Sequence, residues 1–348
     1  MRAVAMTRSL PVEDAAALID IELPRPAAPQ GRDLLVRVEA VSVNPVDTKV
    51  RRTPRPEAEP PPKVLGWDAA GVVEAAGPEA RLFRPGDAVF YAGDITRPGS
   101  NAEYQLVDER IVGRKPARLS FAAAAALPLT ALTAWEALFE RLRIDPDGAD
   151  RGRRLLVVNG AGGVGSIALQ LARRAGLEVI ATAGRPESVA WCRRMGAGTV
   201  IDHRRPLAPQ LEAAGLAPVD WVANFADTDP YWPQLPGLVR PMGAICLVVG
   251  SKAPVDIAPL QAKSAALVWE LMFTKAMFGT PDIETQHGIL DRVAALVDDG
   301  TLAGTMTETL GPIDAATLRA AHARLEAGRT IGKLVLAGWP AAVTGAAP

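Results

Sequence analysis

The chain has few of the side chains from which disulfide frameworks and metal sites are built. Its 348 residues include only 2 cysteines and 3 histidines. Cys192 and Cys246 cannot form a framework of disulfides, and a four-cysteine structural zinc site is impossible in one chain. The histidines, His203, His287 and His322, are scattered, and no two are spaced as a helical zinc-binding pair. The composition therefore predicts no structural metal.

An excess of charge and a long apolar run are also missing. The 38 basic residues balance 39 acidic ones, so no overall field favours nucleic acid or an anionic membrane. The first six residues have no hydrophobic region of a signal peptide and are typical of a strand. The longest uncharged apolar run, residues 121–135, contains Pro128 and is too short to span a bilayer. We expect a soluble cytoplasmic protein without nucleic-acid or membrane partners.

The pattern that organises the chain lies in residues 153–171. A buried strand at 155–158 leads into a glycine turn and an amphipathic helix, and Gly160, Gly162 and Gly165 match G-x-G-x-x-G. The glycines allow a tight turn, a close approach of backbone to a pyrophosphate, and close packing of helix on strand. Backbone N–H groups at the helix start then face the anion. We predict a dinucleotide site at Gly160, Ala161, Gly162, Gly163, Val164 and Gly165.

The next strand indicates which dinucleotide binds. NAD sites usually place an acid for the ribose 2′-hydroxyl at the end of this strand. Here residues 177–183 run into Gly184 and Arg185, and the first acid, Glu187, comes after the arginine. A guanidinium suits a 2′-phosphate, so the pattern favours NADPH over NADH. The alternative is that Arg185 is a solvated loop residue.

The rest of the chain predicts an α/β protein with two domains. Residues 1 to about 120 are β-rich, with strands at 34–41 and 70–75 and a proline-rich, irregular surface loop at 52–62. After Ser120, a predicted helix cap, strands alternate with helices, which indicates a doubly wound parallel sheet. Its predicted strands are residues 155–158, 178–182, 198–201, 219–224 and 243–249. Helices at 283–298 and 315–326 and a closing strand at 333–336 follow.

Several stretches together resemble the medium-chain dehydrogenase/reductase superfamily, in its zinc-lacking quinone oxidoreductase-like branch. They are V-N-P-V-D (43–47), L-G-W-D-A-A-G-V-V (65–73), R-P-G-D-A-V (84–89), L-T-A-W-E-A-L (132–138), N-G-A-G-G-V-G-S (159–166), V-W-E-L-M-F-T-K-A-M-F (268–278) and G-K-L-V-L (332–336). The resemblance implies a GroES-like β-rich catalytic domain, residues 1–122 and 266–348, and a Rossmann domain, residues 123–265. It also implies that nicotinamide and substrate share a cleft between these domains.

The same resemblance argues against a catalytic metal. Zinc-using members have a cysteine where this chain has Asn44 and a histidine where it has Trp67, and their third ligand falls near Thr130. Indole cannot bind zinc, and an amide is a poor replacement for a thiolate. Without a Lewis acid, alcohol oxidation is unfavourable, whereas hydride transfer to a conjugated acceptor remains possible. The implied substrates are quinones and α,β-unsaturated carbonyls.

Five residues form the predicted catalytic set: Asn44, Asp47, Lys49, Trp67 and Tyr91. Asn44 either donates a hydrogen bond to substrate or nicotinamide, or serves as a turn residue before proline. Asp47 orders the loop or holds a neighbouring amide, with a general-acid role as the lesser alternative. Lys49 stands where quinone reductases often carry a tyrosine, and it stabilises an enolate or forms an exposed salt bridge. Trp67 forms a wall for a flat acceptor or belongs to the core. Tyr91 lines the cleft or closes the loop before Gly93.

Further residues are predicted on the cofactor side. The resemblance places Thr133 near the nicotinamide and His203 at an aromatic position near the adenosine phosphate, with a helix-interior hydroxyl and a structural histidine as the alternatives. Later strands end at residues that should border the nicotinamide, and a C-terminal segment reaches back to the cofactor in relatives. These residues are Phe225, Ala226, Val249, Gly250, Ser251, Gly332 and Lys333. Cys192 and Cys246 are expected to be buried packing residues.

Two functions fit this set. The first is an NADPH-dependent reductase of quinones or enones, and the second is a non-catalytic NADPH-binding sensor or crystallin-like structural protein. Retention of polar residues at 44, 47 and 49 favours the enzyme. Because relatives often pair through the edge of the Rossmann sheet, we also expect a homodimer.

Overall fold

A computed structural model describes residues 1–55 and 61–340. The chain divides into two compact units, which are described separately. The first unit contains Met1–Leu129, Phe273–Asp298 and the segment from Met306 onward. The second unit contains Thr130–Met272 and Asp299–Thr305.

The strands in chain order are β1 Arg2–Met6, β2 Ile19–Glu22, β3 Asp33–Ser42, β4 Lys63–Val64, β5 Ala69–Ala76, β6 Ala88–Tyr91, β7 Tyr104–Asp108, β8 Val112–Arg114, β9 Arg154–Val158, β10 Glu178–Thr182, β11 Thr199–Ile201, β12 Val219–Asn224, β13 Val239–Leu247, β14 Ala266–Trp269, β15 Met306–Thr309 and β16 Lys333–Ala337. The helices are α1 Pro45–Arg52, α2 Phe121–Ala125, α3 Pro128–Trp135, α4 Gly163–Arg174, α5 Pro186–Arg194, α6 Leu207–Ala213, α7 Leu235–Leu238, α8 Ala258–Gln261, α9 Thr274–Phe278, α10 Thr285–Asp298 and α11 Ala315–Glu326. A 3₁₀ turn lies at Glu109–Ile111, and a π-helical turn, Glu136–Arg141, continues α3.

The first unit is built on β-strands. A seven-stranded sheet runs β15-β16-β3-β5-β6-β8, with β7 paired to β3, and β2-β1-β4 form a smaller sheet. Strand β16 pairs antiparallel with β3, joining Val335 to Ser42, so the end of the chain completes the sheet that its beginning starts. The closing strand therefore returns to the first domain, as predicted.

The second unit is a parallel sheet with the order β11-β10-β9-β12-β13-β14. Numbered from β9, this order is 3-2-1-4-5-6, the order of a dinucleotide-binding Rossmann fold, and it reverses direction between β9 and β12. Residues 155–158 of β9 are fully buried, as expected for a central parallel strand covered by helices on both faces. The predicted GroES-like plus Rossmann class is confirmed, because both folds match those of solved relatives.

The structure differs from the sequence-based predictions in two places. Strand β14 was not predicted, and because it pairs with β13 the parallel sheet extends beyond the expected boundary at residue 265. Helix α1 includes Arg52, which we had assigned to the irregular loop. The remainder of that loop is irregular at residues 53–55, while residues 56–60 lie outside the described residues.

The apolar segment after Ser120 is longer than predicted. The Ser120 hydroxyl accepts a hydrogen bond from the N–H of Ala123 at 3.2 Å, so the predicted cap is present. The helical segment Phe121–Arg141 has 21 residues, which is long enough by length and composition to cross a membrane. However, 78% of its most apolar window is buried within the protein, as in a core helix.

Candidate active site

The glycine turn lies where the strand order of the second unit reverses. Asn159 follows β9 with φ of +64°, and its side-chain amide donates to the carbonyl of Phe225, at the end of β12, at 3.1 Å. Its own N–H donates to the Thr182 hydroxyl at the end of β10 at 3.0 Å. Asn159 thus connects the carboxyl ends of three adjacent strands, the position at which open α/β sheets bind ligands.

The turn itself is built for close backbone approach. Gly162 is the N-cap of α4, and Gly163, Val164 and Gly165 form its first turn. A Cβ on Gly165 would lie 2.3 Å from the carbonyl oxygen of Asn159, so no side chain fits between helix and strand. No acidic residue lies in the first turn of α4, whose N–H groups and dipole favour an anion. Gly160 and Ala161 complete the turn predicted to cradle a pyrophosphate.

A cationic group of residues lies beside this turn, at the ends of β10 and β11. A Cβ on Gly184 would lie 3.0 Å from Arg204 Nε and 3.1 Å from His203 Cε1, so Gly184 leaves room beneath both side chains. Arg185 is the N-cap of α5, with its Nε 3.4 Å from Glu187 Oε1. The Arg204 guanidinium is held by both carboxylate oxygens of Asp202. We call Gly184, Arg185, His203 and Arg204 the cationic corner.

The charges of this corner act on its imidazole. Burial lowers the pKa of His203, the Asp202 carboxylate raises it, and the guanidinium groups of Arg204 and Arg185 lower it further. The positive charges of both arginines therefore act on the protonation of the imidazole. A dianionic phosphate placed here would meet two guanidinium groups and an imidazole that gains a proton as the anion binds.

The later strand ends lie at the same edge of the sheet. Asn224 of β12 pairs with Val158 of β9 and with Leu247 of β13, so Phe225 and the segment after β13 follow neighbouring strand ends. Ala226 donates its N–H to Asn224 Oδ1, and the carbonyl of Val249 accepts from the Thr228 hydroxyl. Gly250 is exposed, and Ser251 donates to Asp229. Thr133, the remaining predicted cofactor residue of this unit, is buried on α3.

The polar centre of the first unit is organised by Asp68, which the sequence analysis did not select. Its Oδ2 accepts from the Ser42 hydroxyl at 2.8 Å, from Asn44 Nδ2 at 2.8 Å and from Lys333 Nζ at 2.9 Å. Its Oδ1 accepts from the N–H of Leu129 at 2.8 Å. Lys333 also donates to the carbonyl of Val43 at 2.9 Å and to Asn44 Oδ1. We call this group the Asp68 centre.

This arrangement bears on two of the predicted residues. Lys333, the first residue of β16, was expected to reach the cofactor. Its ammonium is instead buried among oxygen atoms of the first unit. Gly332, which precedes it, has φ of +58° and turns the chain into the strand. Two roles were open for Asn44, a donor to substrate or nicotinamide and a turn residue before proline. Asn44 is the N-cap of α1, and its Nδ2 and Oδ1 both bond within the Asp68 centre, which agrees with the second role.

Asp47 adjoins the Asp68 centre. Its Oδ2 accepts from the N–H of Asn44 at 2.7 Å across the N-terminus of α1, which is the loop-ordering role that we predicted. Its Oδ1 has no hydrogen-bond partner within the part of the chain that the structure describes. Burial raises the pKa of Asp47 to about 7, opposed by the Asn44 N–H and the Lys333 ammonium and assisted by Asp68.

The other three predicted catalytic residues lie elsewhere. Lys49 is exposed on α1. Trp67 is fully buried, packs edge-on against Phe273 with ring centroids 6.2 Å apart, and donates from Nε1 to the carbonyl of Asp94 at 3.3 Å. This is the core position that we gave as its alternative. Tyr91 is also fully buried, and burial raises its pKa.

Comparisons with known proteins agree with this geometry. Residues 30–117 match the alcohol dehydrogenase GroES-like domain, and residues 163–295 match the zinc-binding dehydrogenase family. A zinc-type alcohol dehydrogenase-like protein of Staphylococcus aureus (strain MSSA476) is 42% identical over 313 residues, covering 90% of this chain and 92% of that protein. The chain belongs to the medium-chain dehydrogenase/reductase superfamily.

Solved structures define the branch. The structure of a proposed zinc-dependent alcohol dehydrogenase from Rhizobium etli CFN 42 aligns with a TM-score of 0.91 and 51% identity over 97% of this chain and 98% of that one. The Escherichia coli quinone oxidoreductase in complex with NADPH aligns with a TM-score of 0.82 and 25% identity, over 97% and 100% of the two chains. The protein is an oxidoreductase-type member of the superfamily, in its quinone oxidoreductase-like branch.

Three of these names contain zinc, but the residues of this chain at the family's ligand positions are not zinc ligands. The position of the family's cysteine ligand holds Asn44, and that of its histidine holds the indole of Trp67, whose nitrogen donates to Asp94. The four hydrogen bonds on Asp68 use its acceptor capacity. Among residues 1–55 and 61–340, no group of three or more His, Cys, Asp and Glu side chains could hold a metal ion. The residues present do not fit zinc.

Sequence reasoning missed several residues of these sites. Asp68 follows Trp67 directly, and its signal was an acid beside a buried tryptophan at the start of an apolar strand. Asn159, whose φ is positive, was quoted within the glycine motif without a role, although asparagine is the residue that most readily accepts this backbone. Arg204 followed the predicted His203 directly. Asn159 and Arg204 were visible as polar residues after the carboxyl ends of β9 and β11, which is where α/β folds bind ligands.

Proposed function

We propose that this dehydrogenase homologue is an NADPH-dependent reductase of quinones or α,β-unsaturated carbonyls, which transfers hydride without a metal. The observation that carries the proposal is the cationic corner beside the glycine turn. Arg204 and His203 lie against Gly184, and Arg185 follows it in the chain, where an NAD-binding protein would place an acid. The E. coli quinone oxidoreductase, which aligns over its whole length, was solved with NADPH.

The acceptor class follows from the chemistry that the residues can supply. When bound, NADPH supplies a hydride, and this chain's residues bind and orient it. Asn44 and Trp67 provide no Lewis acid to polarise an isolated carbonyl or alkoxide. A conjugated acceptor needs less activation, because the charge left by the hydride spreads along the conjugated system to an oxygen. Quinones and enones are acceptors of this kind.

The second candidate is a non-catalytic NADPH-binding protein, and one observation favours it. The side chains of Asn44 and Asp47, two of the predicted catalytic groups, bond within the first unit, and Trp67 and Tyr91 are fully buried. No side chain is therefore assigned as the proton donor that a reductase needs. A sensor or structural protein would need only the cofactor site and no proton donor.

The two candidates are distinguished by turnover. The purified protein is incubated with NADPH or NADH and a panel of simple quinones and enals, and oxidation of the cofactor is followed at its absorbance band. We expect NADPH-dependent turnover that survives prolonged treatment with a metal chelator. Binding of NADPH without turnover of any acceptor would favour the second candidate, and activity that requires an added divalent metal would contradict the metal-free mechanism.

A further inference from the structure

We propose that the ammonium group of Lys333 is a built-in cation of the first unit, which fills a cation site formed by Asp68, Asn44 and the Val43 carbonyl and excludes a metal ion from it. The proposal extends the metal-free part of the proposed function. It concerns what holds the Asp68 centre together, so it can be tested apart from the cofactor and the acceptor.

Three oxygen atoms converge on the ammonium. Lys333 Nζ donates to Val43 O at 2.9 Å, to Asp68 Oδ2 at 2.9 Å and to Asn44 Oδ1. An ammonium has three N–H donors and no acceptor, so these contacts satisfy it completely. A carboxylate, an amide oxygen and a backbone carbonyl are also the oxygen types that bind metal cations in proteins. The geometry is that of a small cation site whose cation is attached to the chain.

The ammonium and the carboxylate that it neutralises are both buried. Lys333 is 4% exposed and Asp68 is fully buried. The Asp68 carboxylate is also the acceptor for Ser42, for Asn44 Nδ2 and for the N–H of Leu129. The ammonium neutralises Asp68, and a divalent ion would have to displace it and leave a second positive charge buried without a partner. Displacement of that kind is unfavourable, because a buried charge without a partner is poorly solvated, so Lys333 acts against zinc.

The cation also positions other groups. Asn44 Oδ1 bonds to Lys333 and Nδ2 to Asp68, so the ammonium fixes the orientation of the amide and with it the residue that begins α1. Lys333 begins β16, whereas Asn44 and Asp68 lie 289 and 265 positions earlier. The ammonium therefore fastens the closing strand to the beginning of the chain, as a structural metal would.

The test deletes the cation and supplies it again from solution. Lys333→Ala removes three methylene groups and the ammonium, which n-propylammonium restores atom for atom. We expect Lys333→Ala to lower the melting temperature by about 10 °C, because one member of a buried ion pair is left alone. Refolding the variant in n-propylammonium should recover at least half of that shift. Equal concentrations of n-propanol, which lacks the charge, and of tetramethylammonium, which lacks N–H donors, should not.

A second comparison keeps the proposal testable if Lys333→Ala does not fold. Lys333→Met should be strongly destabilised, and Lys333→Met combined with Asp68→Asn should regain stability, because removing both charges costs less than removing one. The proposal is overturned if the double variant is no more stable than the single one, if a folded Lys333→Ala ignores n-propylammonium, or if the wild-type protein retains stoichiometric zinc after gel filtration. If n-propylammonium restores the stability of Lys333→Ala but the wild-type protein turns over no acceptor with NADPH, only the proposed function is contradicted.

Discussion

Arg204 provides the sharpest test of cofactor choice at the scale of single residues. Its guanidinium is fixed by Asp202 and lies beside Gly184, so it is oriented before any ligand arrives. A charge-assisted hydrogen bond from Arg204 to a 2′-phosphate would favour NADPH, which carries that phosphate, over NADH, which does not. We expect Arg204→Ala to raise the dissociation constant of NADPH by about 10- to 100-fold and to leave that of NADH unchanged, as measured by calorimetric titration.

The adjacent Arg205 offers a matched control. Arg205→Ala removes the same charge from an exposed position next in sequence, where the side chain lines a groove between β11 and α6. It should change neither dissociation constant by more than about twofold, because Arg205 lies in that groove, whereas Arg204 lies beside Gly184. Equal weakening of NADPH and NADH by Arg204→Ala would show a general effect on the fold of the corner and contradict the assignment.

Two buried groups of the first unit make its stability depend on pH in opposite directions. Burial raises the pKa of Asp47 from 3.8 to about 7, so its contribution to stability is complete below pH 3.8 and is lost as pH rises through 7. Burial, and then the charge of Arg51, lower the pKa of His322 from 6.5 to about 3. That contribution is complete above pH 6.5 and is lost as pH falls through 3. Between these limits the two slopes oppose each other.

Removing one group should therefore reveal the slope of the other. Asp47→Asn imitates the protonated carboxyl, and its free energy of unfolding relative to wild type should rise by up to about 4 kcal/mol between pH 4 and pH 7. His322→Leu should gain up to about 5 kcal/mol relative to wild type as pH falls from 6.5 to 3. Urea unfolding of the three proteins at pH 3 to 8 measures both. If the free energy of unfolding of each variant changes with pH in the same way as that of the wild type, the raised pKa of Asp47 and the lowered pKa of His322 are contradicted.

The residue scale also shows what a sequence can reveal of a site. Gly160, Gly162, Gly165 and Arg185 were predicted because their geometry is local: strand, turn and helix follow one another within about 30 residues. The role of Lys333 was not predicted, because its partners are 265 and 289 positions away and only pairing of β16 with β3 brings them together. The burial of Trp67 and Tyr91 depends on packing that no periodicity encodes.

Among the secondary structure elements, the junction of β9 and α4 depends on a single missing side chain. A Cβ on Gly165 would lie 2.3 Å from Asn159 O and 2.8 Å from the carbonyl carbon of Gly160. Gly165→Ala must therefore push α4 away from the turn, which costs roughly 1–3 kcal/mol of stability. It should also weaken NADPH binding at least tenfold, because the N–H groups of α4 move away from the pyrophosphate. Chemical unfolding and calorimetric titration measure the two effects.

Gly237 is the matched control, because it lies within α7 of the same unit and a Cβ there would meet nothing within 4 Å. Gly237→Ala should be neutral or stabilise by up to about 1 kcal/mol, since alanine favours helix more than glycine does. It should leave NADPH binding unchanged. If both alanine variants bind NADPH normally, the close contact at Gly165 does not hold the cofactor turn in place.

Most elements of the second unit could be predicted, and the exception has a physical reason. Strands β9 to β13 are apolar runs separated by helices, and each prediction overlaps the observed strand. Strand β14 is only four residues, Ala266–Trp269, and leads directly into the apolar residues 271–273. Periodicity cannot separate so short a strand from a buried helix, and only its pairing with β13 identifies it.

In the first unit, helix α1 was not predicted, although Asn44, Pro45 and Asp47 carry the signals of a helix start.

At the scale of the whole molecule, β14 matters because it ends the parallel sheet. Among the strands of the described residues, β14 pairs only with β13, so its outer backbone groups face away from the sheet. Trp269 is 50% exposed and Leu271 49%, whereas Glu270 between them is buried and bonded to Arg141 at 2.9 Å. An edge strand with exposed apolar side chains, followed by a buried glutamate that bonds to a partly exposed arginine, favours pairing with an identical strand. We propose a homodimer formed through β14.

This proposal predicts the mass of the protein in solution. Light scattering should give twice the chain mass of 36.6 kDa for wild type at micromolar concentration. Trp269→Glu places two like charges in the paired edge and should raise the dimer dissociation constant by about a hundredfold or more, because unpaired charges would be buried. Ile257→Glu changes an apolar residue that is 59% exposed in the same unit but lies outside β14, and it should leave the dimer intact. A wild-type monomer, or equal dissociation by both variants, would rule out the β14 interface. The melting temperature of Trp269→Glu serves as a control: if it is unchanged, the smaller mass reflects dissociation of the dimer and not unfolding of the chain.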